Sequence, residues 1–308
     1  MIGTGAPPPS PRGALKTADV PKPDRLRPLI GAGTCYLLYR ILLAILVPVG
    51  QFMGGQMIAL TVPPLVAAAM ASAMAMAIFE SDTLRKGLGD TGLAWVDGSL
   101  RNLSIGIALG AVAASLAVLP EVVLGLAHFH YASSADASWR GALFTPVLLF
   151  CGALGEEIAF RGFALQYLMR GYGRWAAILG VGALFGLLHA ENPGATTMST
   201  INTAGFGIVF GAAVLRSRDL WLPAGIHFAW NTALPFLGVG LSGLTIKVTG
   251  YELVWSAGDL WSGGRYGPEA SVITSVVIAL LLAAVWKVPA ARGTAYLVPE
   301  SPSAVLPS

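Results

Sequence analysis

The sequence predicts an all-α fold: a polytopic membrane helix bundle of about eight transmembrane helices. Three observations carry this. First, the chain is 55% hydrophobic and only 11% charged, with a mean hydropathy of +0.69, whereas a soluble domain carries roughly 25% charged residues. Second, about eight apolar stretches each approach the ~20 residues that cross ~30 Å of hydrocarbon. Third, with the N-terminus placed in the cytoplasm, about fourteen of the 19 lysines and arginines fall on the inner side, as the positive-inside rule requires. Arg140, Lys247 and Arg265 fall outside, and Arg40 and Arg161 lie within spans. A seven-span count would put one terminus outside and spoil that bias.

The elements follow in order. Residues 1–28 are rich in proline, lysine and arginine and lack an apolar core, so they read as a disordered cytosolic tail and not a cleaved signal peptide. Residues 29–139 hold the N-terminal transmembrane helices, with spans near 33–52, 57–79 and 102–127. The first span starts anywhere from Leu29 to Leu37. Between the second and third, residues 80–101, with Lys86, Asp90 and Trp95, read as an interfacial cytosolic segment. Residues 140–288 hold five further spans, near 142–168, 175–191, 197–215, 220–240 and 270–287. Residues 241–269, with Tyr251, Trp255, Trp261 and Tyr266, suit an outer interfacial cap with aromatic anchors. Residues 289–308 form a second disordered cytosolic tail. No internal repeat is evident.

Polar residues inside such spans are expensive, so each needs a purpose. Glu156 and Glu157 are adjacent in the fourth span, with Arg161 four residues after Glu157. On a helix Glu157 and Arg161 share a face and can pair. Glu156 points about 100° away and stays free for proton transfer. The bland alternative is an ion cluster that fixes helix packing. The second cluster is Phe185 to His189, near the end of the fifth span. Counted from the charged turn Arg170–Arg174, Glu156 and His189 both lie ~21 Å deep at 1.5 Å per residue, so antiparallel neighbours would hold them level. The third is His227 and Asn231, again four apart. Both can donate hydrogen bonds, so together they could hold a developing oxyanion, or simply glue helices together. They count as shallower, nearer ~10–15 Å, so a tilted span or a late helix start at Pro223 must make up the difference.

Other polar residues have plainer readings. Cys35 and Cys151 are packed thiols and not a disulfide or metal pair. Arg40 snorkels to an interface. Glu121, His128 and His130 fall at or beyond the outer end of the third span and are solvated. Ser199, Asn202 and Thr203 either line a cavity or bond neighbouring helices, and Gly207 with Gly211 favours close packing. Without a basic block or interleaved aromatics, no nucleic-acid partner is expected.

Glu-Glu-x-x-x-Arg, then Phe-x-x-x-His, then His-x-x-x-Asn, in that order, resembles the CPBP intramembrane proteases. That family includes the type II CAAX prenyl endopeptidase and the bacterial Abi proteins. Flanking text around His189–Pro193, Leu220–His227 and Gly267–Ser271 is similar to the bacterial branch, and the resemblance covers roughly residues 140–275. It implies an intramembrane endopeptidase in a bacterial plasma membrane, with both termini cytoplasmic and membrane lipids around it. Its substrate would be a peptide or a lipidated protein. Catalytic roles fall to Glu156, which activates water, to His189, which assists, and to His227 and Asn231, which hold the oxyanion. Glu157 and Arg161 support the site. The resemblance leans to a mechanism without a cofactor. If the enzyme is metal-dependent, Glu156, His189 and His227 are the candidate zinc ligands. Two rival readings are a proton-coupled transporter, in which the same residues relay protons, and a non-catalytic immunity or scaffold protein.

Overall fold

The computed structural model describes residues 25–80, 87–132 and 139–295. Most of both expected tails, part of the 80–101 segment and part of the loop before the fourth span therefore lie outside the described residues. The described chain is a helix bundle. Its helices are α1 (Leu26–Ala59), α2 (Val62–Phe79), α3 (Ser99–Val123), α4 (Trp139–Arg161), α5 (Phe163–Tyr172), α6 (Arg174–His189), α7 (Thr197–Ser217), α8 (Trp221–Phe236), α9 (Asp259–Ser262) and α10 (Val272–Lys287). Two strands, β1 (Ala127–Tyr131) and β2 (Tyr251–Trp255), pair antiparallel. Five helical stretches are long and apolar enough to cross a membrane, and α6 and α10 are shorter apolar helices of 16 residues each. The protein is an integral membrane protein, and its helices coincide with the apolar spans of the sequence.

Two breaks modify the expected helices. α1 starts earlier, at Leu26, and runs to Ala59 because a non-helical pair, Gly54 and Gly55, interrupts it where a loop was expected. Gly55 takes φ +73°, a conformation most side chains avoid. The stretch expected as one fourth span is α4 and α5, parted at Gly162 (ψ −121°). A Cβ there would come within 2.5 Å of the Ile158 carbonyl oxygen. Residues of α5 therefore do not add straight depth to Glu156, and the mismatch counted for His227 loses its basis. α8 itself starts at Trp221, not at Pro223.

Close backbone contact fixes the bundle. Cβ atoms added at Gly106 and Gly110 of α3 would lie 2.3 and 2.2 Å from the carbonyl oxygens of Leu222 and Ile226 in α8. Gly207 of α7 meets Gly182 of α6 in the same way, with a built Cβ 2.7 Å from the Gly182 Cα. Small residues allow such approach, and van der Waals packing then substitutes for the hydrophobic drive that lipid cannot supply.

At the end of the bundle where α8 begins, Trp95 packs edge-on against Trp221 at 4.9 Å, which seats the described part of the 80–101 segment on the start of α8. The opposite end departs from expectation. The stretch after α3 is not an open loop: β1 pairs with β2 of the cap and covers the helix end. His128 and His130 are exposed on that strand. Glu121, expected in solvent, is fully buried, and neither carboxyl oxygen has a hydrogen-bond partner among the described residues. Tyr266, expected as an interfacial anchor, is buried too, whereas Tyr251 and Trp261 are exposed. Cys35 and Cys151 are free thiols.

Candidate active site

The motif side chains come from three helices that face one another, α4, α6 and α8. Glu157 is fully buried. Its Oε1 lies 3.3 Å from Arg161 Nη1 and 2.9 Å from His227 Nδ1. The pairing within α4 follows the i, i+4 spacing; the link to α8 does not follow from any local pattern. It fixes which way the His227 ring is turned. With Nδ1–H donated to the carboxylate, Nε2 faces the other way, 3.8 Å from Glu156 Oε2. His189 is oriented similarly. Its Nδ1 bonds the Phe185 carbonyl oxygen at 2.8 Å, and its Nε2 stands 4.0 Å from the same Glu156 oxygen. One carboxylate oxygen is thus flanked by two imidazole nitrogens, each ring positioned from behind by a hydrogen bond at Nδ1.

Arg161 is held in an aromatic cage that the sequence analysis did not foresee. Its guanidinium carbon lies 4.3 Å from the Phe185 ring centroid and 5.1 Å from that of Phe210. Nη2 donates to the Gly207 carbonyl oxygen at 3.4 Å. Ring faces stabilise a desolvated cation, and the arginine in turn compensates Glu157, whose burial alone would be costly. Phe210 also stacks on His227, with centroids 4.8 Å apart and planes at 17°. The available signal for Phe210 was its spacing from Phe206 in an otherwise small-residue span, which marks one face of α7 without saying what it meets.

A cavity of about 210 Å³ opens beside these groups. Glu156, Phe185, His189, His227 and Asn231 all line it, so Asn231 joins the cluster from one turn beyond His227. The side chain of Glu156 is 31% exposed, against none for Glu157. The free and the paired glutamate are therefore divided as the helix geometry implies. Of the α7 polar residues, Thr203 lines the cavity. Asn202 instead donates to the Glu269 and Ser271 carbonyl oxygens, and Ser199 forms a capping box with Thr196.

The remaining walls are apolar (Met57, Leu60, Leu149, Leu241 and Leu244 among them), and Glu269 reaches in from the cap. Glu269 was quoted in the sequence only as flanking text. It is a buried carboxylate that accepts from Trp230 Nε1 at 3.1 Å and from Ser242, and burial pushes it above the usual carboxylate range against those bonds.

Glu156, His189 and His227 are the side chains that would hold a metal. Their 3.8 and 4.0 Å separations exceed the ~3.4 Å between neighbouring ligands of a tetrahedral zinc with ~2.1 Å bonds. Among the described residues no group of three His, Cys, Asp or Glu is placed to hold an ion.

Residues 137–233 match the family model described as Type II CAAX prenyl endopeptidase Rce1-like, a stretch that spans α4 to most of α8. Over this segment, about a third of the chain, the protein is similar to the CPBP/CAAX proteases. No curated protein matches the chain. Glu156, Glu157, Arg161, Phe185, His189, His227 and Asn231 all lie within the matched segment on the three facing helices, and the match closes within the helix that carries His227 and Asn231.

Proposed function

We propose that the protein is an intramembrane endopeptidase that hydrolyses a peptide bond of a membrane-associated substrate with a water activated by Glu156. The observation that carries this is the Glu156 oxygen flanked by two imidazole Nε2 atoms at the wall of a cavity large enough for a reacting group. Glu156 takes a proton from water as the water oxygen bonds to the substrate carbonyl carbon. His189 orients that water through Nε2. The oxyanion is stabilised by the Asn231 amide and by Nε2–H of a His227 protonated at both nitrogens, whose Nδ1–H stays on Glu157. Glu156 then passes its proton to the leaving nitrogen as the C–N bond breaks, giving a carboxylic acid and an amine, which exchange the remaining proton with solvent on release. No step is routed through a metal.

The apolar walls favour a substrate whose residues beside the cut are apolar. CAAX-type processing of a lipidated protein and maturation of a small membrane peptide both meet that description. The basic-residue asymmetry supports cytoplasmic termini, and the flanking text supports a bacterial plasma membrane.

The test uses purified protein in detergent and a panel of fluorogenic peptides, some lipidated at cysteine. Wild type and Glu156→Gln are each assayed with and without a strong zinc chelator. Cleavage lost in the variant and indifferent to chelator is the expected result. Cleavage abolished by chelator and restored by zinc would reassign Glu156 and the histidines as ligands. Full activity in Glu156→Gln would sink the proposal.

A further inference from the structure

Glu269 lies outside the matched family segment, yet it is the second carboxylate to line the cavity. All its side-chain bonds go to two places. Oε1 accepts from the Trp230 indole, which neighbours Asn231 on α8. The carboxylate also accepts from the Ser242 backbone N–H and, at 3.0 Å, from its hydroxyl. Ser242 sits at the tip of a tight turn in which Leu241 and Leu244 exchange both backbone hydrogen bonds, at 2.9 and 2.8 Å. A two-residue turn of this kind needs φ > 0 at both central positions. Ser242 has φ +50° and Gly243 has φ +81°. The left-handed conformation is unfavourable for serine, so the bonds to Glu269 hold a turn that the backbone alone would not favour.

The far side of the tip is seated as closely. Gly243 N–H donates to the Tyr266 carbonyl oxygen at 2.9 Å, and a Cβ on Gly243 would meet the Pro193 carbonyl oxygen at 1.9 Å. Pro193 follows Asn192, which lines the cavity and comes shortly after His189. The turn therefore bridges the end of the His189 helix and α8, and places Leu241, Ser242, Leu244 and Ile246 on the cavity wall.

We propose that Glu269 is a positioning residue that latches the Leu241–Leu244 turn as a lid over the cavity, so that Leu241, Leu244 and Ile246 select an apolar side chain next to the cut. The selection rests on the protease reading; the latch itself does not. Lid position is therefore measured without any substrate. In the full chain with Cys151→Ser, Leu244→Cys is labelled with a maleimide, with and without Glu269→Gln. Loss of one carboxyl acceptor oxygen opens the turn and raises the labelling rate about tenfold or more. Gly243→Ala, which keeps Glu269 but unseats the tip from Pro193, raises it similarly and carries the test if Glu269→Gln does not fold. Unchanged labelling in both variants overturns the latch, whatever the protein cleaves.

If peptides are cleaved, Glu269→Gln (in the wild-type background) also lowers the preference for apolar over polar residues beside the cut, through KM more than kcat. An equal loss of rate on every peptide would overturn the selective role while leaving proteolysis intact.

Discussion

Two buried polar regions of this bundle are built to opposite specifications. Between α7 and α8, Asp219 joins the two helices with its acceptors filled. Oδ2 takes Asn102 Nδ2 at 2.5 Å, and Oδ1 takes Ser217 Oγ at 2.7 Å and the Leu222 N–H at 3.3 Å. Asn102 also grips both backbone groups of Ala291, at 2.8 and 3.0 Å, which straps the chain after α10 across the bundle. In the motif cluster, by contrast, Glu156 Oε2, Glu157 Oε2 and Arg161 Nε have no hydrogen-bond partner among the described residues. A filled network specifies where chain segments go. An unfilled one keeps capacity for a reactant, and its cost has to be met by the packing around it.

Substitutions can break or sharpen that contrast. The largest effect belongs to Glu156→Gln, which removes the proton acceptor and lowers peptide cleavage by about 10²–10⁴-fold. The protein still elutes as a folded species, because the side chain makes no bond that holds the bundle. Asn231→Ala comes next. Loss of one oxyanion donor costs about 10²–10³ in kcat, and KM measured on the same peptide stays close to wild type.

Asp219→Ala inverts the pattern. It strands Asn102 and Ser217 and lowers stability by about 1–3 kcal/mol, read as a lower midpoint of thermal unfolding in detergent. Its kcat below that midpoint is retained. A comparable loss of kcat would show that the α7–α8 junction is coupled to the chemistry and would erase the distinction.

The smallest effect is on pH. Burial, which outweighs the hydrogen bonds from Asn102, Ser217 and the backbone, holds the Asp219 carboxyl above its usual range. The native state thus binds that proton more tightly than the unfolded chain. Stability falls as pH rises from the ordinary carboxylate value through the raised one. The difference in unfolding midpoint between wild type and Asp219→Asn, followed across that window, checks the sign.

The helices were legible because lipid-spanning length and apolarity are local properties, and the expected spans align with α1–α4, α6–α8 and α10. The Glu157–Arg161 pair was legible for the same reason, since i, i+4 geometry is set within one helix. What escaped were contacts between elements distant in sequence. Nothing in the spacing of Glu157 points to His227, and Phe210 reads as a packing residue until Arg161 and His227 are seen on either side of it. Glu121 was misread because the fate of a helix end depends on what folds over it, and the β1–β2 pairing joins segments far apart in the chain. Glu269 was overlooked because its partners, Trp230 and Ser242, lie on another helix and in a turn.

The backbone contact of α3 with α8 has a consequence for what can be inherited or transplanted. The family match runs from 137 to 233, but the back of α8 is completed by Gly106 and Gly110, which no motif names. Cut at the limits of the match, the stretch would carry every motif residue and still present the Leu222 and Ile226 carbonyls to lipid through a missing wall. The chemistry-bearing stretch is not a portable cassette. Two side-chain-free positions upstream belong to its packing as firmly as the glutamates do, and a bulky residue at either would prise away the helix that carries His227.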